Sequence, residues 1–192
     1  WTAYEQVNQL YAEAVRSCSQ SNARIWVHDY HLMLLPSLIR DLVPKSTIGF
    51  FLHIRFPSFE IHRLLPERTI LLEGLAGADL VGFHTYDYAR HFLSSCRHLL
   101  GVEPSEMSVE YKDRTVHVGT YPIGIDYKKF ASTVVSSEAK TIRRKLKQRY
   151  KEQKIILSID RLDYSKAIPQ RLEAYQLFLE QHPEYHGKVV LH

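Results

Sequence analysis

Cysteine is nearly missing: Cys18 and Cys96 are the two in 192 residues. A pair this isolated supports neither a disulfide framework nor a cysteine-based zinc site, and it points to a reducing, cytoplasmic setting. Long apolar runs are missing too. The longest stretches, such as Ile48 to Ile54, contain a histidine and fall far short of the ~20 residues of a membrane helix, so no membrane association is expected. The first residues lack the basic, then apolar, then small-residue order of a secretory leader, and the chain opens on Trp1, which leaves room for a native upstream region. There is no Walker A sequence, no GxGxxG turn, no zinc-finger spacing and no aromatic RNA-binding signature. Nucleotide triphosphate hydrolysis, dinucleotide binding and nucleic-acid recognition lose ground accordingly. Internal repeats and low-complexity segments are also absent.

What is present is ordinary globular material, 45% hydrophobic and 24% charged. The net charge of +4 is concentrated between Lys140 and Lys154, where Val135, Ile142, Leu146 and Tyr150 recur at helical spacing. That pattern is an amphipathic helix with a solvated basic face, not a nucleic-acid surface.

The remaining pattern alternates. A helix is predicted from about Tyr4 to Cys18, on a stripe of Tyr4, Val7, Tyr11, Ala14, Val15 and Cys18. Strand-like runs then alternate with helical ones: Ile25 to His28, Leu32 to Asp41, Ile48 to His53, Phe59 to Ala76, Leu80 to Phe83 and Tyr86 to Leu100. This order predicts an α/β fold with a parallel sheet covered on both faces. Val109 to Tyr111 and Thr115 to Tyr121 read as short strands around a Lys112-Asp113 turn. Pro122 to Asp126 reads as a crossover, after which a fresh strand (Lys154 to Asp160), a helix opened by Pro169 (Ile168 to Gln181) and a last strand (Lys188 to Leu191) begin a second domain.

Ligands of parallel sheets gather beyond the carboxyl ends of the strands, and three segments fit that rule. In Trp26 to Leu32, an apolar strand runs into His28, Asp29 and His31. Asp29 can accept hydrogen bonds from sugar hydroxyls, and the histidines can donate to hydroxyl or phosphate oxygens; the bland alternative is that His28 and Asp29 cap the next helix. A metal site would need a third ligand of clear spacing, so none is expected. His53 closes the next strand and can project into the same crevice as Asp29. In Ser158 to Ile168, Arg161 and Lys166 stand between a strand and a helix N-terminus, which suits a diphosphate; a salt-bridged loop with Arg161 on Asp160 or Asp163 is the alternative.

Five segments then occur in one order: WVHDYHLMLLP (Trp26 to Pro36), GFFLHIRFP (Gly49 to Pro57), GADLVGFHTYDYARHF (Gly77 to Phe92), PIGID (Pro122 to Asp126) and DRLDYSKAIPQ (Asp160 to Gln170). Together they resemble the signatures of the trehalose-6-phosphate synthases, across nearly the whole chain. The resemblance implies two Rossmann-like domains of the GT-B architecture, both incomplete here. Residues 1–126 would be the second half of the acceptor-side domain, and residues 127–192 a linker helix and the start of the nucleotide-sugar-binding domain. It implies glucose transfer from UDP-glucose, or a related nucleotide donor, to glucose 6-phosphate with retention of configuration and no cofactor. By the same resemblance Asp29 binds the acceptor, His53 lies beside the donor sugar, and Arg161 and Lys166 hold the diphosphate and assist its departure.

Two positions depart from the family pattern: Arg55 stands where HIPFP is usual, and Ala167 follows Lys166 where the family has glycine. If that backbone needs a positive φ, the alanine is strained. The amino-terminal glycine-rich donor loop and the later phosphate- and nucleoside-binding segments are not in the sequence, so the chain alone is expected to be inactive. The rival reading is a noncatalytic sugar-phosphate sensor or regulatory relative. A different nucleotide-sugar transferase is a weaker one, and a homo-oligomer is left open.

Overall fold

Short β-branched and aromatic runs set between amphipathic stretches favour strands laid side by side with helices returning between them. The computed structural model describes all residues, Trp1–His192. They cluster into two units, Trp1–Gly124 and Ile125–His192, divided within the Pro122 to Asp126 segment.

The first unit runs α1 (Thr2–Cys18), β1 (Arg24–His28), α2 (Leu35–Leu42), β2 (Thr47–Phe51), α3 (Phe59–His62), α4 (Arg68–Leu75), β3 (Leu80–Phe83), α5 (Tyr86–Leu100), β4 (Ser108–Tyr111) and β5 (Arg114–Thr120). Its strands form one five-stranded sheet in the order β1-β2-β3-β5-β4. The first four in that order are parallel neighbours, and β4 joins β5 antiparallel. The Lys112-Asp113 link is a two-residue turn with φ of 50° and 58°, the left-handed pair that matches the twist of a hairpin.

Because each crossover steps in the same direction across the sheet and crossovers are right-handed, the helices share one face. On that face Val27, Ile48, Phe50, Val81, Phe83, Val116 and Val118 are buried against Ile39, Leu72, Leu75, Phe92 and Cys96. Each such side chain contributes about 1.5–3 kcal/mol by leaving water. Gly74 and Gly77 let the backbones of α4 and α2 touch, since a Cβ on either would overlap the Met33 carbonyl or the Ser37 backbone. The other face carries Trp26, which is 70% exposed, with Gly49, Gly82 and Tyr121. The expectation of helices on both faces is therefore met on one face only within these residues.

At the amino ends of the strands, Asp79 is the hub. Its carboxylate accepts from Arg40 at 2.8 Å, from the Ile48 amide at 2.7 Å and from Arg114. Burial pushes this carboxyl up, but the amide and the two guanidiniums outweigh it and hold it below the usual range.

Three boundaries differ from the sequence reading. The helix expected over Phe59 to Ala76 is broken into α3 and α4 at Pro66, which has no N–H to donate. Strand β2 is bounded at Phe51 and does not reach His53: the Leu52 amide makes the last pairing bond, to the Gly82 carbonyl at 3.0 Å, and the His53 amide turns away to the Asp29 carboxylate. The strand expected to run to Asp160 ends at Ile156, and the last pairing bond beyond it is the Ser158 amide on the His192 carbonyl at 2.8 Å.

The second unit holds α6 (Tyr127–Val134), α7 (Ser137–Tyr150), β6 (Lys154–Ile156), α8 (Ile168–Gln181) and β7 (Val189–Leu191), with β6 and β7 parallel. Ser136 caps α7 by accepting from the Ala139 amide. Of the apolar stripe expected there, Tyr150 is buried, whereas Ile142 is 51% exposed and Val135 lies beyond the helix. No helix in either unit is long and apolar enough to cross a membrane.

Candidate functional site

The carboxyl ends of β1, β2 and β3 deliver Asp29, His53 and His84 to one rim of the first unit. Asp29 has φ 70° and ψ 169°, a region that side-chain-bearing residues avoid at a cost of order 1–3 kcal/mol. Neighbours hold it there. Its amide donates to the Phe51 carbonyl at 2.8 Å, its carbonyl accepts from the Leu32 amide at 3.1 Å, and its carboxylate accepts from the His53 amide at 3.2 Å. The short helical turn that follows, Tyr30–Leu32, receives no side-chain cap from Asp29. The capping alternative is thereby corrected: the carboxylate is spent on the next strand's backbone, across the crevice, and its second oxygen is free.

Helix α1 supports this loop from behind. The Tyr4 hydroxyl donates to the Tyr30 carbonyl at 2.6 Å and accepts from the Met33 amide at 3.0 Å. Asn8, fully buried, donates to the carbonyls of Tyr4 and His31 at 2.9 and 3.0 Å. Burial raises the Tyr4 phenol, and the Met33 amide opposes it, so the group stays a neutral hydroxyl at physiological pH.

The imidazoles form a cluster. His28 Nδ1 and His53 Nε2 are 3.0 Å apart, with ring centroids at 5.2 Å. His84 meets His53 edge-on at 5.7 Å, and Phe51 lies against both. His31 is not part of the cluster; its ring lies on Tyr30 at 3.8 Å. Trp26, Phe51, Tyr121 and Ile123 extend the imidazoles into a cavity of ≈ 510 Å³ on the helix-free face. The site is an apolar floor with a polar rim, suited to a sugar ring that offers hydroxyls at its edge and C–H groups on its face.

In the second unit, the loop after β6 is built around Arg171 of α8. Its guanidinium pairs with Asp160 at 2.7 Å and donates to the Lys166 carbonyl at 3.1 Å and to the Ser158 hydroxyl. Asp163 accepts from both the amide and the hydroxyl of Ser165, at 2.8 and 2.7 Å, and these bonds hold its carboxyl below the usual range. With both acidic side chains so engaged, Arg161 and Lys166 make no ion pair. The salt-bridged alternative named Asp160 or Asp163 as partner of Arg161, and Asp160 instead takes Arg171. Ala167 sits at φ 50°, ψ 40°, the left-handed conformation that glycine adopts without strain, and its carbonyl starts α8 by accepting from the Arg171 amide at 3.0 Å. Arg161 and Lys166 thus stand without a close ion pair in the loop that leads into the positive end of the α8 dipole, an arrangement that can hold a doubly charged anion.

Asp29 and His53 are brought together in the first unit, and Arg161 and Lys166 in the second. Sequence reasoning missed His84, Tyr4, Asn8 and Arg171. His84 had a signal, since it follows β3 as His53 follows the end of β2. Arg171 had another, a cation in the first turn of a helix, where the dipole disfavours it unless a partner waits. Tyr4 and Asn8 gave none beyond a spacing of four residues, because Tyr4 also serves the apolar stripe.

The sequence matches the model of glycosyltransferase family 20 over residues 1–192. An alpha,alpha-trehalose-phosphate synthase [UDP-forming] 2 of Aspergillus niger is 49% identical over 196 residues, covering 100% of this chain and 41% of its own length. The N-terminal domain of a Candida albicans trehalose-6-phosphate phosphatase superposes with a TM-score of 0.81 at 42% identity, covering 100% of this chain and 41% of that one. An alpha,alpha-trehalose-phosphate synthase (UDP-forming) from Burkholderia xenovorans, in complex with glucose-6-phosphate, gives 0.81 at 31% identity over 98% of this chain and 42% of that one. The chain therefore spans about two fifths of the length of the curated relatives it matches.

Proposed function

The chain belongs to glycosyltransferase family 20, and from that footing we propose that the protein containing it makes trehalose 6-phosphate from UDP-glucose and glucose 6-phosphate. The α/β fold with parallel sheets agrees with the two-Rossmann-like-domain, GT-B relatives. On this reading residues 1–126 belong to the acceptor-side domain and residues 127–192 open the nucleotide-sugar-binding domain. The carrying observation is the near-50% identity, along the whole chain, to a protein named as the UDP-forming synthase. The relative solved with glucose-6-phosphate supports the acceptor.

The residues divide the chemistry between them. The free oxygen of Asp29 accepts a hydroxyl of the acceptor sugar, and His53 takes a hydroxyl of the donor glucose. The bond from glucose C1 to the diphosphate oxygen breaks as the acceptor hydroxyl oxygen bonds to C1 on the same face, and its proton passes to the departing phosphate oxygen. Negative charge grows on the diphosphate in that step, which is where Arg161 and Lys166 act. No carboxylate nucleophile is needed, in contrast to the two-carboxylate glycosidases. A cytoplasmic setting accords with two cysteines that are both free thiols.

A second reading has its own observation: the same fold, 42% identical, forms the N-terminal domain of a protein named as a phosphatase. A sugar-phosphate-sensing, noncatalytic role would fit that precedent, and Arg55 and the strained Ala167 would be tolerated in it. The presence of all four residues in the sequence, Asp29 and His53 in the first unit and Arg161 and Lys166 in the second, favours turnover. Full-length protein given UDP-glucose and glucose 6-phosphate should release UDP and form trehalose 6-phosphate with the donor's anomeric configuration, read by proton NMR. Binding of both ligands without product would establish the sensor instead.

A further inference from the structure

We infer that His28 is a positioning residue that fixes the proton on His53, so that the other ring nitrogen of His53 presents a lone pair selecting a sugar hydroxyl over a phosphate oxygen. The inference rests on the proposed placement of His53 beside the donor sugar. It starts from the single close approach between the rings, His28 Nδ1 to His53 Nε2 at 3.0 Å.

A neutral imidazole has one N–H and one bare nitrogen, so a single hydrogen bridges this gap and ties the two tautomers together. If His28 donates, its proton is on Nδ1 and His53 must also be protonated on Nδ1. If His53 donates, its proton is on Nε2, and His28, accepting at Nδ1, must be protonated on Nε2. Both rings therefore carry the same tautomer. The second arrangement keeps both in the form that an unconstrained imidazole prefers. No second hydrogen bond reaches the nitrogens of either ring to oppose it; the aromatic rings beside them are Trp26 at His28, and Phe51 and the edge of His84 at His53.

His53 has little freedom to escape this bond. Its amide is held by the Asp29 carboxylate at 3.2 Å, and its ring lies between those of His28 and His84. With Nε2 committed to His28, Nδ1 is the nitrogen left for a ligand, and it is bare. A bare nitrogen accepts from a sugar hydroxyl, whereas a phosphate oxygen, itself only an acceptor, is repelled. His28 thus separates the sugar-reading task from the phosphate-holding one without touching substrate.

The test uses the full-length protein with three variants and nitrogen-15 imidazole spectra. In the parent protein, His28 and His53 should both show the protonated-Nε2 signature. In His28→Phe, which keeps a ring and removes the acceptor, the His53 signals should collapse to an exchanging mixture, and the KM for UDP-glucose should rise about tenfold, the loss of one neutral hydrogen bond. Affinity for UDP, which lacks the sugar, should be unchanged. His28→Asn, whose carbonyl oxygen takes the place of Nδ1, should restore most of the loss; His84→Phe should leave the His53 signature intact. The inference is overturned by opposite tautomers on the two rings, by a proton on His53 Nδ1, by equal losses for UDP and UDP-glucose, or by His28→Asn behaving as His28→Phe. The spectra need no turnover, so a protein without synthase activity would sink the functional reading while the tautomer measurement still judged the pair.

Discussion

Replacing Ala167 with glycine should stabilise the second unit, against the usual expectation for an alanine next to a helix. Ala167 holds φ 50°, ψ 40° at the start of α8. For a residue with a Cβ this conformation costs about 1–2 kcal/mol, because the Cβ crowds the following carbonyl. Glycine removes that crowding but returns about 0.4–1 kcal/mol of unfolded-state freedom. The difference leaves a net gain of about 0.8 kcal/mol. Native-state hydrogen exchange suits the measurement, since the chain has two units and one unfolding midpoint would blend them. Amides of α8 that exchange through opening of this unit should be protected about fourfold more in Ala167→Gly. Ala174→Gly, the same chemical change within the interior of α8, should act oppositely, lowering protection by the equivalent of about 1 kcal/mol. Unchanged or reduced protection in Ala167→Gly would show that the positive φ is not a source of strain and would remove the account of why glycine is usual there.

In the full-length protein, Asp29→Ala should weaken glucose 6-phosphate binding and cut turnover by about 10- to 100-fold, the worth of a charged acceptor, while UDP affinity measured by calorimetry stays nearly intact; equal losses for both would mean the role is misassigned. Arg161→Ala or Lys166→Ala should lower kcat/KM by about 2–4 kcal/mol, more than it weakens UDP binding, with glucose 6-phosphate affinity unchanged; normal turnover and UDP affinity in both would return the loop to a structural role. His62 is 2% exposed and donates from Nε2 to the Arg68 carbonyl at 3.2 Å, and burial lowers its pKa below the ordinary 6.5. The unfolded chain then binds the proton first as pH falls, so stability from this residue is complete above pH 6.5 and is lost from there down to the folded-state value. Opening free energies of first-unit core amides, from hydrogen exchange corrected for intrinsic rates, should differ less between pH 7.5 and about pH 5 in His62→Leu than in the parent; an unchanged difference would exclude His62 as a cause of acid sensitivity.

Much of this was legible because it rests on local pattern. Tyr86 to Leu100 and Ile168 to Gln181 end where their periodicity ends, and α5 and α8 have those bounds. The pairing of Asp29 with His53 followed from the rule that parallel strands deliver their carboxyl ends to one rim. What was not legible depends on contacts distant in sequence. The hydroxyl of Tyr4 meets the backbone of Tyr30 and Met33 across 26 and 29 positions, and nothing in a helical stripe announces that. The competition for Asp160, won by Arg171 over the adjacent Arg161, is likewise decided by where the first turn of α8 lies. The break at Pro66 was readable and was overridden by the apolar continuity on either side.

The single direction in which the first sheet is wound has a consequence for handling these residues as material. A sheet whose crossovers all step one way is a half-finished laminate: it has a bonded side, an unbonded side carrying Trp26, Tyr121 and Ile123, and a selvage, β1, with one edge unpaired. Such an edge and face invite copies to stack and zip together. Expressed by itself, the chain should behave well when dilute and self-associate as concentration rises, and a lysine at Trp26 should raise its solubility more than a lysine placed on the already charged surface of α7.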